Sequence, residues 1–208
     1  MADGKAAWRS RVRARRQDWL AGSADGPVPD GAGLADAPGL AAVLPGPGEW
    51  VAAFAALPGE PPTTGLLQRL AAAELRVLLP VFDPALPASD VAIGWGEVTA
   101  VTCALPAGRP GRPAVPPAPH LGPQALERCS LILAPALAVD RSGTRLGQGG
   151  GWYDRALRWA APHALVLAVC FPPEVLPAGT LPRAGHDRRV DGALTSAGVE
   201  LFASNARE

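Results

Sequence analysis

The chain has 208 residues, 48% of them hydrophobic, and 19 basic side chains balance 19 acidic ones to a formal net charge of zero. That length suits a single core of ordinary size, and the neutral balance excludes a global field for nucleic acid or an anionic membrane, so any anion has to be held by a local cluster. Three cysteines, Cys103, Cys129 and Cys170, form no CxxC pair, which argues against a disulfide framework or structural zinc and for a reducing cytoplasm.

The N-terminus lacks the apolar core of a signal peptide, and no apolar stretch reaches membrane-helix length. Its arginine-rich, acid-poor character resembles a transit peptide in form, but the segment reads better as a helix. Residues Lys5 to Leu20 contain no Gly or Pro, and Trp8, Val12 and Trp19 share one face. Ala21 to Glu49 is rich in Gly, Pro and Asp and reads as loop, with a short helix around Leu40 to Leu44. Trp50 to Leu57 is an apolar run expected to form a buried strand, ending at Pro58-Gly59. Thr63 to Leu75 has helical spacing, with Thr64 as the expected cap. Arg76 to Val81 is a second strand, and Val91 to Leu105 is β-like. Ala107 to Gln124 is a Pro-rich loop. Ser130 to Val139 is a strand leading into a glycine-rich loop, Gly143 to Gly151. Trp152 to Ala161 is a helix stopped by Pro162, and Ala164 to Phe171 is another apolar strand. Near-continuous apolar strands alternating with helices predict an α/β fold. We expect one three-layer domain over residues 1–208, with a mostly parallel central sheet flanked by helices.

The stretch Asp140 to Arg155 carries the chemistry. A strand enters a loop holding Gly147, Gly149, Gly150 and Gly151, and a helix begins at once. Glycines permit close backbone approach, so successive N–H groups can converge on an anion at the helix start. Arg145 adds a cation suited to phosphate oxygens. No Gly-Lys-Ser/Thr follows, so this is not a Walker A loop, and Trp152 at the last glycine position rules out the dinucleotide fingerprint. A tight structural turn would also use such glycines.

The full string Arg145-Leu146-Gly147-x-Gly149-x-Gly151-Trp152-Tyr153-Asp154-Arg155, after an apolar strand and Asp140, resembles the signature of the 5-formyltetrahydrofolate cyclo-ligase family. Lys5 and Arg9 match its K-x-x-x-R pair, and Pro58-Gly59-Glu60 its Pro-Gly-Glu. Gly185-His186-Asp187-Arg188-Arg189-Val190-Asp191, followed by Leu194-Thr195, matches its ending. The resemblance implies an ATP-dependent enzyme that closes 5-formyltetrahydrofolate, with or without a polyglutamate tail, to the 5,10-methenyl form. Magnesium would be its cofactor and ATP its co-substrate. A cytoplasmic monomer is expected, with no nucleic acid and no membrane as partner.

By that resemblance Lys5, Arg9 and Arg145 are the catalytic cations. ATP is bound by these three with Leu146, Gly147, Gly149, Gly150, Gly151 and Tyr153. The folate falls to Ala55, Glu60, Gln148 and Trp152, the indole offering a plane to the pterin. Asp154 and Asp187 are the implied magnesium ligands. His186 and Asp191 are expected to be structural, and Arg11, Arg13, Arg15 and Arg16 to be solvated or packed along their stems.

The chain departs from the family pattern at Val139, where Phe is usual, and in the Pro116 to Pro119 segment, which lacks a Glu. It also lacks a Gln near Pro172-Pro173 and is longer over residues 21–49. Two other classes compete: a non-catalytic folate- or nucleotide-binding regulator, and an α/β enzyme that handles sugar phosphates. The second leaves Lys5, Glu60 and the two aspartates unexplained together.

Overall fold

The computed structural model describes residues 4–22, 32–82, 93–98, 116, 119–183 and 188–203. In chain order these form α1 (Lys5–Gly22), α2 (Ala32–Ala35), α3 (Leu40–Val43), β1 (Trp50–Ala52), α4 (Thr64–Ala72), β2 (Arg76–Val81), β3 (Gly94–Val98) and β4 (His120–Leu121). There follow β5 (Cys129–Pro135), β6 (Ala138–Asp140), β7 (Arg145–Leu146), α5 (Trp152–Ala156), β8 (Leu165–Val169), β9 (Val175–Leu176), β10 (Gly192–Thr195) and β11 (Gly198–Leu201). Short 3-10 turns precede β5, follow α5 and precede β9.

Eight strands make one sheet in the order β11-β10-β8-β5-β1-β2-β3-β4. The five from β10 to β2 are parallel, and antiparallel strands finish both edges. Strand residues alternate between two faces, and here both faces are apolar because both are covered. Val51, Val77, Leu79, Leu131, Leu133, Leu167 and Val169 pack with Leu66, Leu67 and Leu70 of α4 and with Leu34 and Leu40. Leu78, Ile132, Ala134, Val166 and Ala168 turn the other way, onto Trp152, Tyr153, Ala156 and Leu157. A second sheet, β7-β6-β9, carries α1 on a small core of Val12, Leu137, Ala138, Leu146 and Leu181. The expected α/β architecture, with a mostly parallel sheet flanked by helices, is present. Among the described residues no helix is long and apolar enough to cross a membrane.

Several elements are shorter than the sequence pattern suggests. The apolar run from Trp50 leaves the sheet after Ala53, whose N–H still reaches the Leu78 carbonyl at 2.9 Å. Beyond it side chains take over the backbone: Thr63 Oγ1 accepts from the Ala56 N–H and Glu60 Oε2 from the Leu57 N–H, each at 3.0 Å. Thr63, not Thr64, therefore sits at the N-cap of α4, and its hydroxyl is used across the loop. The run Ser130 to Val139 breaks at Ala136-Leu137, where pairing passes from the large sheet to the small one: Ala136 N–H donates to Val169 and Leu137 N–H to Leu146. The helix expected to reach Ala161 is α-helical only to Ala156, and Arg188 gathers the carbonyls of Leu157, Ala160 and Ala161 at 3.0, 2.7 and 3.2 Å. Most of the β-like and Pro-rich expectations between 83 and 118 lie outside the described residues.

The chain runs from β1 to β2 on one side and later to β5 on the other. Strand order thus reverses at the β1/β5 boundary, the place where open α/β sheets bind ligands beyond their carboxyl ends. Ile132 is fully buried in the centre of β5. Ile132→Ala is expected to lower unfolding stability by about 2–5 kcal/mol, measured by urea denaturation with an unchanged m-value.

Candidate functional site

The loops that leave β1 and β5 bring Pro58-Gly59-Glu60 and Ala136-Leu137 to the reversal point, and α1 lies across both. Its contacts fall on one helix face, at Arg9, Val12, Arg13 and Arg16, following the 3- and 4-residue spacing that aligns side chains. Arg9 Nε donates to the Gly147 carbonyl at 2.9 Å. Arg13 Nη2 donates to the Gln148 carbonyl at 3.0 Å and to its side-chain oxygen at 3.1 Å. Gln148 Nε2 in turn donates to Glu60 Oε1 at 3.2 Å. Glu60 and Gln148, both assigned to the folate, are thus brought together. Ala55 lies half-buried in the same β1 loop.

Arg16 is the largest departure from expectation. It is 7% exposed, not solvated. Its Nε and Nη2 grip Glu174 at 2.6 and 2.8 Å, Nη1 donates to the Gly59 carbonyl at 2.8 Å, and Nη2 also reaches Ala136 O at 3.1 Å. The guanidinium lies 5.1 Å from the Phe171 ring centre. Burial pushes the Glu174 carboxyl above the ordinary carboxylate range, against Arg16 and the Phe171 N–H, which favour the charged form. One signal was available for Arg16: it follows Val12 by one helical turn and belongs to the apolar face. Nothing local distinguishes Glu174.

The glycine loop follows a turn fixed by a buried carboxylate and is exposed at residues 148–150. Asp140, fully buried, accepts from the N–H groups of Ser142, Thr144 and Leu181 at 3.0, 3.2 and 2.9 Å and so fixes the β6–β7 turn. Gly149 has φ +116, and a Cβ there would stand 3.5 Å from the Arg9 guanidinium carbon. Gly151, at φ +65, is the left-handed residue from which α5 starts. Both conformations favour glycine. Arg9 touches this ribbon only through Nε, and its terminal nitrogens have no hydrogen-bond partner among the described residues. Lys5 lies one turn earlier on α1.

Arg145 and the aromatic pair lie elsewhere than expected. The Arg145 side chain is 4% exposed. Its Nη1 donates to Pro135 O at 2.9 Å and its Nη2 to Asp154 Oδ1 at 2.5 Å, so the guanidinium is engaged inside the protein and aims Asp154. Trp152, expected to offer a plane to the pterin, is 6% exposed and packs against Phe82, Trp95 and Tyr153 at 5.0 to 5.2 Å. Its indole N–H, like that of Trp95, is buried without a hydrogen-bond partner among the described residues. Tyr153 is buried, donates to Ala53 O at 3.4 Å, and is pushed well above the usual tyrosine range by burial. Leu146 belongs to the small core beneath α1, so only its backbone can face a ligand.

Asp154 keeps a 39% exposed carboxylate with one oxygen held by Arg145. The other oxygen has no partner among the described residues, which fits magnesium's habit of taking one or two carboxylates beside phosphate oxygens. Asp187 and His186 lie outside the described residues. No group of three or more His, Cys, Asp or Glu among the described residues could hold an ion by itself. Asp191 Oδ2 accepts from Val166 N–H at 2.8 Å, a structural use. Cys129 and Cys170 are buried free thiols. Burial pushes Cys129 to about 12, against Arg128, and raises Cys170 as well, so neither is poised as a thiolate. Cys103 lies outside the described residues.

Comparison with known proteins adds to this geometry. The family model described as the 5-formyltetrahydrofolate cyclo-ligase family matches residues 48–196. A 5-formyltetrahydrofolate cyclo-ligase of Mycolicibacterium smegmatis is 38% identical over 148 residues, 71% of this chain and 74% of that protein. The solved structure of an Aquifex aeolicus 5,10-methenyltetrahydrofolate synthetase superimposes with a TM-score of 0.66 at 22% identity, covering 98% of this chain and 95% of that one. A 5,10-methenyltetrahydrofolate synthetase of Mycoplasma pneumoniae gives 0.61 at 14% identity, over 91% and 97%. At these identities the structures speak for the fold.

Glu174→Ala leaves the Arg16 charge buried and unpaired. It is expected to cost about 3–5 kcal/mol of stability in chemical denaturation. Glu200→Ala, which breaks the half-exposed pair with Arg141, should show no comparable loss.

Proposed function

The chain belongs to the 5-formyltetrahydrofolate cyclo-ligase family, and we infer that it closes 5-formyltetrahydrofolate to 5,10-methenyltetrahydrofolate while ATP becomes ADP and phosphate. One observation supports this most directly. The phosphate-type elements (α1 with Lys5 and Arg9, and the glycine loop) meet the Glu60 loop at the sheet's reversal point, so nucleotide and folate can lie side by side.

The formyl oxygen is a poor leaving group until it accepts the γ-phosphoryl group of ATP. N10 of the folate then attacks the formyl carbon, the C–N bond closes the ring, and the oxygen departs with phosphate. No protein nucleophile is needed, in keeping with two buried, raised thiols. The work left to the protein is positioning and charge neutralisation. We assign phosphate contacts to Lys5, to the outer nitrogens of Arg9, and to the N–H groups of residues 147 to 151. Glu60, held by the Leu57 N–H and the Gln148 amide, accepts hydrogen bonds from the pterin. Magnesium carried with ATP would be held by Asp154, with Asp187 as the second carboxylate, and would supply charge neutralisation on the phosphates. Arg145 acts through Asp154, not on phosphate. The pterin faces Gln148 and Glu60, while Trp152 supports the helix start from below.

Purified protein mixed with 5-formyltetrahydrofolate and Mg-ATP is expected to produce the near-ultraviolet absorbance of the methenyl product, dependent on both ATP and magnesium. Arg9→Ala should raise KM for ATP roughly 10- to 100-fold, the worth of a hydrogen bond to a charged group. Asp154→Ala should abolish magnesium-dependent turnover. No product from folded wild-type protein that still binds Mg-ATP would replace the enzyme with a non-catalytic binding relative.

A further inference from the structure

We propose that Arg16 is a positioning residue for the reaction: it sets the Glu60 carboxylate from behind, and so governs folate affinity without touching folate or nucleotide. The proposal rests on the cyclo-ligase reading of the site.

Gly59, immediately before Glu60, has φ +84 and forms part of a loop that has left the sheet. A glycine hinge at that point can swing the carboxylate that follows it. Arg16 Nη1 fixes the Gly59 carbonyl at 2.8 Å. The guanidinium is itself immobilised: both oxygens of Glu174 hold it, and Glu174 is pinned by the Phe171 N–H at 2.8 Å. The Ala136 carbonyl adds a further hold from the end of β5. Gly59 is therefore referenced to the carboxyl ends of the central strands. Two bonds then aim the carboxylate itself, one from Leu57 N–H and one from Gln148 Nε2.

Stability alone does not call for this arrangement. A buried ion pair is commonly matched or bettered by apolar side chains of similar volume. What an apolar pair cannot supply is the bond to Gly59. Lysine cannot supply the set either, because one ammonium has no planar fork to serve two carboxylate oxygens and two carbonyls at once.

The test compares wild type, the double variant Arg16→Met/Glu174→Met, and Arg16→Lys, each alone and combined with Glu60→Ala. Unfolding midpoints and steady-state kinetics are measured with 5-formyltetrahydrofolate and Mg-ATP varied separately. The double variant leaves no unpaired buried charge and is expected to stay folded, with KM for the folate raised about tenfold and KM for ATP within about twofold of wild type. Adding Glu60→Ala should then raise the folate KM little further, because residues acting as one unit are not additive. Arg16→Lys keeps a cation opposite Glu174 and should move the folate KM in the same direction, which keeps the test decisive if the double variant does not fold. A merely structural role would lower the amount of active enzyme, and hence kcat, at unchanged KM. An unchanged folate KM, or effects that multiply with those of Glu60→Ala, overturns the proposal. A wild-type protein that makes no methenyl product overturns the cyclo-ligase reading first and the proposal with it.

Discussion

A single buried guanidinium organises the site's architecture. Taking the Arg16 charge out of water is costly unless every donor finds an acceptor and the charge finds a partner. Glu174 satisfies the charge, and the Gly59 and Ala136 carbonyls take two of the three remaining donors. Those partners come from three separate segments, so the Glu60 loop, the end of β5 and the turn before β9 are tied to one group. The helix that bears it has holds of its own besides: Val12 fills the small core over β6 and β7, Arg9 meets Gly147, and Arg13 meets Gln148. The site is the meeting of these contacts at the point where strand order reverses.

Much of the fold was legible because buried parallel strands are written as unbroken apolar runs. Arg76 to Val81 and the core of Ala164 to Phe171 are recovered nearly residue for residue. The run from Ser130 hides its break at Ala136-Leu137 because both halves are buried, one in each sheet, and burial is what the composition records. The early end of β1 was hidden for a related reason: Ala53 and Phe54 stay in the core after leaving the sheet. Hydrophobicity reports where a residue ends up, not which strand it pairs with.

The site was legible in its motifs and less so in its geometry. Spacing along α1 put Lys5 and Arg9 on one helix face, and the glycine pattern marked the loop before α5, where Gly149 and Gly151 take the positive φ values that glycine permits. The directions of side chains were not written locally. Arg145 and Arg16 are both arginines near the loop, but each is committed to the interior. The partners of Arg16, Glu174 and Gly59, are fixed only when distant segments meet, whereas those of Arg145, Pro135 and Asp154, lie ten and nine positions away and are brought round by the turn and glycine loop between them. Trp152 shows the same limit, because its place among Phe82, Trp95 and Tyr153 is a property of the assembled face.

The partners of Arg16 lie 43 to 158 positions further along the chain. During synthesis α1 emerges well before its principal anchor, Glu174, which follows Arg16 by 158 positions. Contacts of such long separation slow folding, and domains of this size can pass through incompletely packed species. Until the segment from Leu137 to Leu181 is available, an arginine-rich helix has neither its counter-charge nor its floor of Leu137, Ala138 and Leu181. The seating of the helix is therefore a late event in folding, and the site is assembled only when α1 has met a segment 158 positions further on.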